Sequence, residues 1–160
     1  MITTHFAFDG MLYHSVTRCL TLTQPWATLV AIGAKRFETR SWRTGHRGAI
    51  AIHAAKGFPP ECVNLWIREP FRNALRSGGI NHPLELPRGQ VIAIVMLKDC
   101  VSTNHFKPAW HTDEFAFGDY SANRYAWQLD DAARIKPFDA KGALGIWRLP
   151  RPVTAEDVLP

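Results

Sequence analysis

An α+β fold is the expectation, and three stretches of the sequence carry it. Residues 19–23 and 49–54 are short runs of strand length, the first alternating and the second apolar until it ends in His53. Between them, Gln24-Pro25-Trp26 and Gly33 bracket a segment with Trp26, Leu29, Val30 and Gly33 at helical spacing. Proline fits a first helical position, where its missing N–H costs no hydrogen bond, and glycine fits the position just past a helix end. Finally, Gln90 to Cys100 (QVIAIVMLKDC) is apolar on both faces and rich in β-branched residues, so it reads as a strand buried on both sides.

The other elements follow in order. Residues 1–16 have mixed polarity without a period and read as an N-terminal arm, an extra strand or a partly ordered tail. Lys35 to Trp42 reads as an extended segment, with Glu38 and Arg40 on one strand face and Lys35 in the loop that follows Gly33. Gly57-Phe58-Pro59-Pro60 leads to a helix over Glu61 to Leu75, which Pro70 is expected to kink or split. Residues 80–88 read as loop. The polar, aromatic stretch 102–122 is long enough to be functional or to carry local helical turns. Arg124 to Leu129 and Ala133 to Phe138 read as two strands around an Asp130-Asp131 turn, Gly145 to Leu149 as the last strand, and residues 151–160 as a C-terminal tail.

Charge concentrates between the first two strands, where Lys35, Glu38, Arg40, Arg47, His53 and Lys56 lie within a short span. There, Gly33-x-Lys35-x-x-Glu38-x-Arg40 resembles the G-x-K-x-x-E-x-R motif of the ASCH domain family, a group similar to the PUA domains of RNA-binding and RNA-modifying proteins. Gln24-Pro25-Trp26, Arg47-Gly48, His53-Ala54-Ala55-Lys56, Tyr125-Ala126-Trp127 and Gly145-Ile146-Trp147 extend the resemblance over residues 17–150. It implies a small mixed PUA-like β-barrel of about five or six strands with flanking helices.

The resemblance also implies RNA or nucleotide binding in a basic, aromatic-edged cleft centred on Lys35, Glu38 and Arg40, with DNA as a further ligand class. Cations would hold phosphate, a ring would stack, and Glu38 or Gln24 would read a base edge. Trp26, Trp42, Arg47, Lys56, Ser121 and Arg124 complete the candidate set. An enzyme is the alternative. The resemblance extends to ASCH-like proteins regarded as ribonucleases. Others resemble amidohydrolases acting on acetylated cytidine, with a lysine matching Lys35, a threonine where this chain has Glu38, and a later glutamate. The absence of that threonine keeps the amidohydrolase activity from being carried over. Lys35 as base or nucleophile, Glu38, and His53 as acid–base are the candidate catalytic groups. On residue types alone, Lys35, Glu38 and Arg40 also suit a structural ion-pair network, and His53 a structural strand end. A protein-interaction module using the 62–75 helix is the third class.

Composition fits one globular domain of 160 residues, 46% apolar and 21% charged. Net charge is +5, with a pI near 9.4, which suits polyanionic partners. Cys19, Cys62 and Cys100 lack CxxC spacing, and the histidines lack ligand spacing, so neither a disulfide framework nor a metal nor a cofactor is expected. Neither a signal peptide nor a membrane-spanning run is read, which leads to the expectation of a cytoplasmic protein. If charge dominates recognition, affinity for single-stranded RNA should fall steeply with salt, the log–log slope being about −0.7 per phosphate neutralised. Filter binding over a salt series checks this, and a flat response rejects it.

Overall fold

The computed structural model describes residues 6–8, 11–13 and 15–160. Of the expected N-terminal arm, residues 6–8 and 11–13 form strands β1 (Phe6–Phe8) and β2 (Met11–Tyr13), paired antiparallel in a sheet of their own. The rest of that stretch up to residue 14 lies outside the described residues.

The body is one six-stranded sheet. Its strands are β3 (Val16–Leu22), β4 (Phe37–Arg40), β5 (Gly48–Ala54), β6 (Gln90–Ser102), β7 (Tyr125–Asp139) and β8 (Ile146–Val153), in the order β4-β7-β6-β5-β3-β8. Only β3 and β5 run parallel, pairing Thr21 with His53, so both strands deliver their C-terminal ends to the same place. The α1 helix (Trp26–Ala31) supplies the crossover between them. Its length follows its punctuation: Pro25 begins it, and Gly33 at φ +77° follows its last turn, a conformation that costs glycine nothing.

Helices α2 (Pro60–Leu65) and α3 (Phe71–Ser77) are separated at Pro70, as the proline implied. Together with α1 they enclose an apolar cluster of Leu29, Trp66, Phe71, Leu75, Ile80, Leu86 and Phe117. Phe117 ends α4 (Asp113–Phe117), the one α-helix in the long 102–122 stretch. The larger core lies under the sheet, where Leu20, Ile50, Ile52, Val95 and Leu97 pack with the fully buried Trp127. Cys19, Cys62 and Cys100 are all buried and free.

Three expectations are corrected. The sheet does not close into a barrel, because β4 and β8 are edge strands with one partner each. Pro150 and Pro152 in β8 lack N–H donors for a further strand. The outer edge of β4 is occupied by side chains: the Phe37 N–H donates to Glu114 Oε1 at 3.0 Å, and the Thr39 carbonyl accepts from Arg124 Nη2 at 3.2 Å. Second, Asp130-Asp131 is not a hairpin turn. β7 continues through it, pairing with β6 on both sides, and the extra residue is absorbed by a bulge with Asp131 at φ +52°. Third, residues 151–153 belong to β8 rather than to a tail, and Val158 bridges to Ile135 of β7.

Trp127→Ala should destabilise the fold by about 3–5 kcal/mol, the range for truncating a large buried ring. Urea unfolding measures it. Trp110→Ala, at an 81% exposed ring, is the matched control and should stay within about 0.5 kcal/mol of the parent.

Candidate functional site

The motif residues meet in a cleft of about 800 Å³ between β4, α2–α3 and the segment from α4 to Arg124. The loop after α1 aims Lys35 inward, since Gly33 turns the chain and β4 begins only at Phe37. The Lys35 side chain is 1% exposed. Nζ donates to the Phe117 carbonyl at 3.0 Å and lies 3.8 Å from Glu38 Oε2. Glu38 Oε1 lies 3.0 Å from Arg40 Nε, off the line of its N–H, so that contact is coulombic. Arg40 Nη2 donates to the Thr21 carbonyl at 2.8 Å. Burial pushes the Lys35 pKa down from its ordinary value, and the Glu38 and Glu114 carboxylates oppose that shift.

The far wall is held by side-chain latches. Glu114 accepts from the N–H groups of Arg36 and Phe37, and the Asp119 N–H donates to Thr39 Oγ1 at 3.0 Å. Arg124 Nε stands 3.3 Å from Asp119 Oδ2. Ser121, through hydrogen bonds, and then Arg124 hold the Asp119 carboxyl below its usual range. Trp26, Trp42 and Phe71 line the cleft as rings. Trp42 is 36% exposed and meets the buried Trp127 edge to face at 4.6 Å, while Trp26 meets Phe71 likewise at 6.4 Å. Among the described residues, the buried side-chain atoms without a hydrogen-bond partner are Arg40 Nε in this cleft and the Tyr120 hydroxyl. Tyr120 adjoins Asp119 of the lining.

The structure thus brings Trp26, Lys35, Glu38, Arg40, Trp42 and Arg124 together. Gln24 is not with them. It is fully buried, its amide donates to Thr28 Oγ1 and the Pro87 carbonyl, and its Oε1 accepts from the Thr28 N–H, so in this structure it fastens α1. Arg47 is turned to the carbonyls of Thr44 and His46 and to Asp99, and Ser121 lies outside the lining. Sequence reasoning missed Arg68, Phe71 and Phe117 as lining residues. They come from distant elements, and the only local signal was the apolar stripe of the split helix.

His53 and Lys56 line a different cleft, on the far side of Thr21. The Trp147 indole N–H donates to Thr21 Oγ1 at 2.9 Å. The Ala140 carbonyl can only accept, so His53 Nε2 carries a proton and donates to it at 2.9 Å, while Nδ1 lies 3.2 Å from the Thr21 hydroxyl. Both ring nitrogens thus have partners within the protein. Burial holds the His53 pKa below its ordinary value.

Comparison with known proteins gives three findings. The model of the ASCH domain matches residues 20–138. Human activating signal cointegrator 1 is 41% identical over 91 residues, and its mouse counterpart 38% over 89, in each case 56% of this chain and 15% of the relative. The chain thus spans less than a sixth of the curated relatives it matches. A crystal structure of ASCH from Zymomonas mobilis superposes with a TM-score of 0.52 at 15% identity, covering 84% of this chain and 87% of that one, a likeness of fold alone.

The neutral His53 network has a pH signature. A folded-state pKa below the unfolded value of 6.5 means the unfolded chain binds more protons in that window. Stability conferred by His53 is then complete above pH 6.5 and is lost as pH falls toward the depressed folded pKa. Denaturant midpoints of wild type and His53→Gln across this range should converge on acidification. Parallel profiles would refute it.

Proposed function

The chain belongs to the ASCH domain family, and on that premise we propose that it binds nucleic acid, with single-stranded RNA the leading ligand, by taking a base into the Lys35–Glu38–Arg40 cleft. The observation that carries this reading is the union, in one cleft of about 800 Å³, of the Trp26, Trp42 and Phe71 rings with the guanidinium groups of Arg40, Arg68 and Arg124. That volume suits a small ligand such as a nucleotide. An unstacked base recovers stacking energy on an aromatic wall, and a guanidinium at the rim meets phosphate or a base edge. Trp42, more exposed than Trp26, is the better platform. Arg68 has no carboxylate within ion-pair distance among the described residues and is open to solvent. Lys35 acts on the ligand through Glu38, whose carboxylate it orients, because its own ammonium is closed off.

The hydrolase reading draws support from one observation, the lowered pKa of a buried lysine beside a carboxylate. Geometry favours binding over it: Nζ already donates to the Phe117 carbonyl and barely reaches solvent.

Trp42→Ala should weaken binding of a single-stranded RNA oligonucleotide by about 1–3 kcal/mol, the worth of one stacked base. Fluorescence anisotropy reads this, with unchanged RNA affinity as the outcome against it. Lys35→Met keeps the side-chain length without the charge and is the companion variant. Wild-type cleavage of labelled RNA, or deacylation of acetylated cytidine, that disappears in Lys35→Met would replace the binding reading with a catalytic one.

A further inference from the structure

The second cleft, of about 1020 Å³, has a chemistry the first lacks. In the motif cleft nearly every cation has an internal partner: Lys35 has Phe117 and Glu38, Arg40 has Glu38 and Thr21, and Arg124 has Asp119 and Thr39. Around the second cleft stand Lys56, Arg88 and Lys141, all exposed, and among the described residues none has a carboxylate within ion-pair distance. The single carboxylate of the lining, Asp139, is engaged by the Gln90 amide at 2.9 Å.

The backbone adds donors. Residues 141–144 of the lining belong to no helix or strand, and their N–H groups donate to no other described backbone group. This loop is pinned rather than loose. His53 Nε2 grips the Ala140 carbonyl, and Gly142 approaches the ring so closely that a Cβ there would lie 2.8 Å from His53 Cε1. Backbone N–H groups without a backbone acceptor, on a fixed loop beside lysine and arginine side chains, are suited to serve anionic oxygens as donors. Lys56 lies two residues past the end of β5, while Thr21 lines both clefts, so the two sites share a wall at the C-terminal ends of the parallel strands.

We propose that the second cleft is a phosphate-binding site, in which Lys56, Arg88, Lys141 and the 141–144 backbone hold phosphate groups of a polyanion. The preferred source is the backbone of the RNA strand whose base enters the first cleft, and only this choice of source rests on the function proposed above. The division of labour is then spatial. The first cleft holds a ring, and the second holds charge.

The test uses the full chain and two probes, tripolyphosphate and a uridine octanucleotide, followed by amide resonances. Tripolyphosphate should shift Lys141, Gly142 and Ala143 while leaving Ser41 and Gly118 of the first cleft in place. The octanucleotide should shift both groups and bind more tightly than tripolyphosphate, which identifies the strand backbone as the source. An octanucleotide that moves neither cleft, beside a tripolyphosphate response at 141–143, leaves the phosphate site standing with a free phosphate compound as its ligand, and it is the first-cleft reading that fails. The variant Lys56→Gln/Lys141→Gln removes two exposed charges and should keep the wild-type melting temperature. Its tripolyphosphate response should be lost, and the log–log salt slope of octanucleotide binding should become shallower by about 1.4, or ~0.7 per contact. No response of 141–143 to either probe, or a variant that responds to tripolyphosphate as wild type does, overturns the proposal.

Discussion

A buried ammonium group organises this molecule. Removing a lysine head from water carries an effective cost of several kcal/mol unless oxygen ligands replace the solvent. Here they come from different parts of the chain: the Phe117 carbonyl at the end of α4, and Glu38 in β4. Glu38 is tied in turn to Arg40, and Arg40 to the Thr21 carbonyl of β3. One charge thus sets the loop after α1, the edge strand, and the wall of the cleft against one another. The arrangement also explains why that wall is held by several latches. A segment lacking extended secondary structure can offer a carbonyl to a buried cation only if its position is fixed, and Glu114, Asp119 and Arg124 fix it along β4.

Much of this was legible in the sequence, because the relevant signals are local. Pro25 and Gly33 act through backbone geometry and bounded α1 correctly, which in turn placed Lys35 in a loop. The β-branched run at 90–100 could only be a buried strand, and Pro70 could only break a helix. What escaped was non-local. Asp130-Asp131 has the composition of a turn, yet β6 is long enough to pair on both sides of it, and pairing converts the turn into a bulge. Gln24 looked like a polar group free to read a base, but its partners include the carbonyl of Pro87, far away in sequence. His53 and Lys56 follow the motif so closely that one site seemed natural. The parallel pairing of β3 with β5 sends them to the other side of Thr21.

Net charge is a poor guide to where a basic protein presents its charge. The chain carries +5, but the cations of the family motif sit within ion pairs and carbonyl contacts, and so serve partly to hold shape. Solvent-facing positive charge lies instead on residues outside that motif, such as Arg68, Arg88 and Lys141. Two surfaces of different character therefore flank one strand end, one ringed by aromatic side chains and one by uncommitted donors.

The open sheet bears on behaviour at high concentration. An unclosed sheet offers rows of backbone donors and acceptors on which further strands can grow, and these are the usual starting points for intermolecular β-pairing and fibre formation. Here the Glu114 carboxylate and the Arg124 guanidinium sit on the outer edge of β4, and Pro150 and Pro152 interrupt the donors of β8. The contacts that shape the cleft thereby also cap the rim of the sheet. A variant that released the α4 segment would lose one wall of the cleft and expose a sticky edge in the same step, so self-association would accompany loss of the cleft.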